Sequence, residues 1–393
     1  MRLGTADVVV IGAGVVGVAV TRALAREGLS VIAVDRRGVG LEASGANVGL
    51  VTLFSSHSLE EPDPGPVYEL TRRSVEVYAG LAAETGLDVE YEACGGVMFA
   101  ETPERLAAIR RAYEGYRRHG VEVEWLDAAG VHACEPAFWS EGVLGGAFCP
   151  GNGQLNPLLL CRALARDARR AGARFLLGVT VNGVSCGEGR VRAVLTSAGD
   201  IGCARVVDAA GAWAAEVGRM VGLEIPVVPA RGQIVLTEAV PRFIHRVVSG
   251  AEPSARQTRR GNVIIGSTIE HAGFDKAVTP RTVHEFAQGG LARYPRLARL
   301  GVIRAWAGLR PATPDHRPII EAVTEPAGFV LAAGHSRRGI CYAAATGRLV
   351  ADLVMGRAPV IDLRAFGLAR FGRGGPPAPA GPVEAGVAGG GRR

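Results

Sequence analysis

At 393 residues and 48% hydrophobic, the chain is longer than one core usually supports, and two domains are expected. Its formal charge is +6, from 44 basic and 38 acidic residues, and the only lysine is Lys276. The arginines are spread along the chain with no basic run interleaved with aromatics, which argues against a nucleic-acid partner. The cysteines, at 94, 134, 149, 161, 186, 203 and 341, form no Cys-x-x-Cys pair and no metal spacing with histidine. They read as small buried hydrophobes in a reducing compartment, and no metal site is expected.

The first element carries the most information. Asp7-VVVIGAGVVGVAVTRALAREGLSVIAV-Asp35 is a hydrophobic strand, a Gly-x-Gly-x-x-Gly turn, a helix and a second strand ending in an acid. Gly12 permits the tight turn, Gly14 lets backbone approach a pyrophosphate, and Gly17 lets helix and strand pack closely. Asp35 stands where a carboxylate accepts the hydroxyls of a ribose, with Arg36 beside it. A second small-residue loop follows, Glu42-Ala-Ser44-Gly45-Ala-Asn47-Val-Gly49. A secretory signal is the competing reading of the apolar run Val8–Val20, but Asp7 occupies the flank where positive charge belongs. The run is also short of the ~18 residues of a membrane span, so a cytoplasmic protein is expected.

Downstream, Tyr68 to Thr85 has helical periodicity, with Leu70, Val77 and Leu81 on one face. Val89–Glu92 and Gly96–Ala100 read as short strands, and Pro103 to His119 as an amphipathic helix stopped by Gly120. Asn156-Pro157 supplies a cap and a first-turn proline for a helix running to Gly172. Ala173 to Asp208 is a strand series broken by turns at Asn182-Gly183, Gly187–Gly189 and Ala198–Asp200. Its last strand, Arg205–Asp208, empties into Ala209-Ala-Gly211-Ala-Trp213. Backbone packed against a cofactor explains those small residues, and so does an ordinary strand-to-helix turn. Further strands are expected at Gly232–Thr237, Gly261–Ile269, Val302–Ala307 and Gly328–Ala333, with helices from Thr282 to Tyr294 and from Cys341 to Met355. The last helix follows Gly334-His335-Ser-Arg337-Arg338-Gly339-Ile340 and aims its positive end at whatever lies in front. From Gly372 the chain is nearly all Gly, Pro, Ala and Arg, a composition expected to be disordered.

Taken together, four motifs in this order resemble the D-amino-acid oxidase superfamily of FAD enzymes, over about residues 6 to 371. They are Gly12-Ala-Gly14-Val-Val-Gly17 with Asp35, Ala43–Gly49, Val207–Trp213, and Gly308-Leu-Arg310-Pro311 with Gly334-His335-x-x-x-Gly339-Ile340. The local similarity points to the branch of glycine oxidase and the flavin subunits of opine, proline and hydrogen cyanide-forming dehydrogenases. The resemblance implies a mixed α/β fold, in which a Rossmann-type FAD domain (1–85, 150–222 and 310–370) interleaves with a substrate domain (86–149 and 223–309) built on a large, mostly antiparallel sheet.

It further implies FAD contacts at Gly12, Gly14, Val15, Val16, Gly17, Asp35, Arg36, Ser44, Gly45, Asn47, Gly49, Val181, Ala210, Gly211, Trp213, Gly308, Gly334, His335, Arg338, Gly339 and Ile340. Arg310 then holds the substrate carboxylate, a match for a planar fork that stays charged inside a closed site. Pairing with Asp315, or capping a loop, is its competing role. Arg337 is the candidate assistant, though the adjacent Arg338 competes for that place, and His335 is either an acid–base group or a backbone-positioning one. The implied reaction moves hydride from a substrate α-carbon to flavin N5, leaving an imine that water hydrolyses. Two departures from the pattern matter. Gly308 stands where sarcosine-oxidase-like members tether FAD through cysteine, so the flavin is expected to be noncovalent. Ile264 stands where those members carry an oxygen-activating lysine, which favours a dehydrogenase over an oxidase. An NAD(P) dehydrogenase, a flavin-dependent 2-hydroxy acid dehydrogenase, and a flavoprotein subunit active only in a complex are the rival readings, and a partner subunit or a homo-oligomer stays open.

Overall fold

The computed structural model describes residues 2–250 and 253–372; of the tail read as disordered, 373–393 lie outside the described residues. The strand Arg2–Ile11 lies at the centre of an eight-stranded sheet, paired in parallel with Val31–Asp35 on one side and Gly199–Asp208 on the other. Val8, Val9, Val10 and Ile11 are all buried, as a central parallel strand covered on both faces requires. Phe329–Ala333 adds in parallel beyond Gly199–Asp208, and Ile319–Ala322 closes that edge antiparallel. Arg174–Leu177 extends the other edge, and the hairpin Val181–Gly187 and Arg190–Thr196 branches from Gly199–Asp208.

Three helices cover one face, Val15–Arg26, Pro157–Arg170 and Gly339–Val354. The first and last approach so closely that a Cβ on Gly347 would lie 2.6 Å from the Ala19 carbonyl oxygen. Asn156 caps its helix as expected, its side chain accepting from the Leu159 amide at 3.3 Å. This topology brings the four motifs together. Gly12, Asp35, Ala209 and Gly334 each stand at or just past the carboxyl end of a parallel strand, and those strands are neighbours.

The mostly antiparallel part consists of two four-stranded sheets. Ser254–Gln257, Asn262–Gly266, Val228–Ala239 and Val302–Ala312 make one; Val247–Ser249, Gly96–Ala100, Gly145–Cys149 and Glu124–Asp127 make the other. Pro241, which has no amide to donate, follows the long strand as the chain leaves the first sheet for the second. The two share an apolar cluster in which Val97 and Phe99 meet Val235, Val263 and Ile265.

Local differences from the sequence reading have local causes. Val89–Glu92 is not a strand, because Glu90 takes a left-handed φ of 57° and leaves a single bridge at Glu92. The helix placed at Thr282 starts at Pro280, with the Thr279 hydroxyl accepting from the Thr282 amide as an N-cap. Cys149, Cys161, Cys203 and Cys341 are buried, whereas Cys186 is exposed on the edge hairpin.

Candidate functional site

A cavity of about 390 Å³ runs along the carboxyl edge of the parallel sheet and ends against the strand Val302–Ala312. At one end Gly12 turns the chain with φ of 106°, its amide donating to the Val34 carbonyl at 2.8 Å. A Cβ there would lie 2.4 Å from the Ala209 carbonyl oxygen, so only glycine lets the first and third strands' loops meet. Asp35 anchors this turn: Oδ2 accepts from the Ala13 amide at 2.8 Å, and Oδ1 accepts from Arg37 and Gly38 amides at 2.8 and 2.9 Å. The Ser44 hydroxyl accepts from the Val15 amide at 2.9 Å, which fastens the second small-residue loop to the start of the first helix. Gly14, Val15 and Val16 line the cavity at the start of that helix, whose positive end suits a phosphate. Arg36, Val181, Ala210, Gly211 and Trp213 line the same end, and the Arg36 guanidinium lies 3.9 Å from the Trp213 ring centroid.

Three glycines of the motifs sit behind the wall and serve packing. A Cβ on Gly17 would lie 2.0 Å from the Gly12 oxygen, one on Gly45 2.6 Å from the Gly40 oxygen, and one on Gly49 2.3 Å from the Leu155 oxygen. Asn47 lines the cavity and accepts from the Gly49 amide at 2.6 Å.

Gly308 brings its strand against the 43–46 loop; a Cβ there would lie 2.5 Å from that of Ala46. Arg310 lines the cavity with its fork held from behind: Nη1 donates to the Thr268 carbonyl at 2.7 Å and the Arg231 carbonyl at 3.4 Å, and Nη2 to the Ser267 hydroxyl. Asp315, the alternative partner, pairs with Arg370 at 2.7 Å.

The two adjacent arginines separate cleanly. Arg338 reaches inward, donating to the Thr52 carbonyl at 2.6 Å and the Ser55 and Thr71 hydroxyls at 3.3 Å, so it ties down the Thr52–Ser55 segment. Arg337 is exposed where it lines the cavity. His335 is buried with Nε2 3.0 Å from the Thr346 hydroxyl, and burial drives its imidazole down to about 3, which keeps it neutral at physiological pH. Gly334, Gly339 and Ile340 line the cavity beside it.

Two buried charged residues escaped the sequence reading. Asp208 caps the Ala210 amide at 3.0 Å, and burial pushes its carboxyl up to about 7, with Oδ2 lacking a partner. Arg256 is the cross-strand partner of Ile264. Its guanidinium donates to the carbonyls of Val48 and Leu155 and to Gln154, and burial lowers its pKa to about 10. Its strand, Ser-Ala-Arg-Gln, is too short and too polar to signal a buried arginine.

A Gly-turn over a helix start, a carboxylate on the second strand and a cavity running from them to a fixed arginine define a dinucleotide-dependent oxidoreductase. The chain belongs to the FAD dependent oxidoreductase family (DAO), whose pattern it matches over residues 7–353. It is 33% identical to the hydrogen cyanide synthase subunit HcnC of Pseudomonas aeruginosa, over 93% of this chain and 96% of that protein. It is 34% identical to a glycine oxidase from the same organism, over 90% and 96%. Among solved structures, L-proline dehydrogenase from P. horikoshii superposes with a TM-score of 0.88 at 26% identity, covering 95% of this chain and all of that one. The cofactor is therefore FAD, and the residues fit it: the glycine turn leaves room for a pyrophosphate, and Asp35 lines the same cavity with a carboxylate able to accept a ribose hydroxyl. Among the described residues, no helix is long and apolar enough to cross a membrane.

Because Asp35 supports the turn as well as facing the cavity, Asp35→Ala should weaken FAD retention by at least the ~1.5–3 kcal/mol of a hydrogen bond to a charged acceptor. Titration of apoprotein with FAD, followed by flavin fluorescence, measures the loss.

Proposed function

We propose that this protein oxidises a small amine bearing a carboxylate, a glycine-, proline- or opine-like amino acid, by removing hydride from its α-carbon to give an imine. The observation that carries this reading is Arg310, a cation on the cavity wall with its guanidinium fixed by the Thr268 and Arg231 carbonyls. Such a fork receives a carboxylate bidentately and holds the adjacent C–H bond in one place. FAD supplies the hydride acceptor. Arg337 assists at the exposed rim. His335, neutral and bonded to Thr346, positions the 334–339 loop, while Arg338 fixes the facing Thr52–Ser55 segment. An amine that reacts as its free base needs no strong general base. In this reading 1–85, 150–222 and 310–370 form the FAD part and 86–149 with 223–309 the substrate part, and the enzyme works in the reducing cytoplasm. The names of the relatives, glycine oxidase and L-proline dehydrogenase, support the substrate class. The likeness to HcnC, named as a subunit, supports a second reading in which activity needs a partner chain.

The test is anaerobic bleaching of the FAD-loaded protein against amino acids, secondary amines and 2-hydroxy acids. Bleaching by hydroxy acids alone overturns the amine assignment, and no bleaching until a partner subunit is added selects the second reading. Trichloroacetic acid should release all the flavin into the supernatant, since Gly308 offers no thiol. We further expect a dehydrogenase. Ile264 is apolar, and Arg256, its cross-strand neighbour, is committed to the Val48 and Leu155 carbonyls behind the wall. At the Ile264 position, superoxide formed beside reduced flavin thus has no cation to face, which leaves Arg310 and Arg337 among the cations lining the cavity. In stopped-flow mixing, reoxidation by air-saturated buffer should run slower than turnover with a quinone or dye; an equal or faster rate makes it an oxidase.

A further inference from the structure

The segment joining the strand Asn262–Gly266 to the helix Pro280–Arg293 bridges two parts of the molecule. Its ends are riveted to the strand Val228–Ala239. Glu270 and Arg231 exchange backbone hydrogen bonds at 2.8 and 2.9 Å, the Glu270 carboxylate accepts from Arg231 Nε at 3.0 Å and Gln233 at 2.8 Å, and the Thr279 amide donates to Gln233 at 2.8 Å. Its tip crosses to the cofactor loops with three consecutive residues. The Phe274 ring stacks on Trp213 with centroids 5.3 Å apart and planes inclined by 24°. Asp275 pairs with Arg231 below. Lys276 pairs with Glu42 at 3.0 Å.

Trp213 and Glu42 both line the cavity, one on the loop after Gly199–Asp208 and the other on the loop after Val31–Asp35. The tip therefore joins the two lips of the groove that takes the adenosine and pyrophosphate of FAD. We propose that Phe274 and Lys276 form a clasp that retains FAD and that release of the cofactor requires this clasp to open. An aromatic stack and a half-exposed ion pair are individually modest, so the clasp is a brake on release rather than the main source of affinity. The ion-pair half is also screened by salt.

The experiment follows FAD dissociation from the full-length holoprotein by recovery of flavin fluorescence after dilution, with apoprotein thermal midpoints measured in parallel. Phe274→Ala with Lys276→Ala should speed release by about tenfold at low ionic strength. Lys276→Ala alone should differ from wild type at low salt and match it near 1 M NaCl, and Lys276→Arg should restore slow release. Because Lys276 is the only lysine, acetylation should speed release from the wild-type protein to the Lys276→Ala rate and leave Lys276→Ala itself, the control for the α-amino group, unchanged. Equal release rates for wild type and the double variant overturn the clasp. So does faster release that tracks a lowered apoprotein midpoint, which would assign these contacts to the fold alone.

Discussion

Arg310→Ala should lower kcat/KM for a carboxylate-bearing amine by about a hundredfold to several thousandfold, the equivalent of the ~3–5 kcal/mol lost when one partner of a desolvated charge pair is removed. The substrate carboxylate would then enter a cavity whose nearby acceptors, the Thr268 and Arg231 carbonyls, have lost their donor and repel it. Arg310→Lys should recover only part of the loss, because a point charge on a flexible stem cannot reproduce two parallel N–H bonds in a fixed plane. FAD content should be unchanged in both variants, since Arg310 is held by Thr268, Arg231 and Ser267, which lie outside the glycine turn. If both retain wild-type kinetics while loaded with FAD, Arg310 is not the anchor. A simple carboxylate inhibitor separates binding from chemistry: its Kd should rise in Arg310→Ala by a factor similar to the loss in kcat/KM.

The cofactor edge was legible because its determinants are local. A β-branched run, three spaced glycines and an acid lie within one strand–helix–strand unit, and the structure sets Val207–Trp213 and the Gly334 loop on the ends of neighbouring strands. What decides the substrate end is not local. Arg337 and Arg338 are adjacent and chemically alike, and they are told apart by Thr52, Ser55 and Thr71, which lie 286, 283 and 267 residues from Arg338 in sequence. His335 reads as a candidate base until its burial against Thr346 is known. Arg256 meets Val48 and Leu155, 208 and 101 residues away in sequence, and no periodicity within Ser254–Gln257 announces it. The Phe274–Lys276 crossing likewise depends on where three separate loops arrive, and each of those loops taken alone looks ordinary.

Gly17→Ala and Gly14→Ala should differ in a way that separates the needs of the fold from those of the cofactor. At Gly17 a Cβ would lie 2.0 Å from the Gly12 carbonyl oxygen and 2.8 Å from its carbon, and both are backbone atoms that cannot rotate aside. The helix Val15–Arg26 must then move off its strand, which disturbs the Ser44–Val15 and Asp35–Ala13 hydrogen bonds together. Overpacking of this kind costs at least the usual ~1–3 kcal/mol, so Gly17→Ala should lower the thermal midpoint of the apoprotein and leave little FAD bound. At Gly14 the protein makes no such demand. Its φ is −68°, open to any residue, and a Cβ would meet only the Ser44 hydroxyl oxygen at 3.4 Å. Alanine there should leave the apoprotein as stable as wild type, or more so by the ~0.4–1 kcal/mol gained from a stiffer unfolded chain. The cost should appear only on loading, as the methyl group occupies the cavity-facing approach that a pyrophosphate takes. Flavin-to-protein absorbance ratios and apoprotein melting curves measured on both variants give the two readouts. Normal FAD content in Gly14→Ala would show that the phosphates do not pass over this glycine, and that the turn owes its form to packing alone.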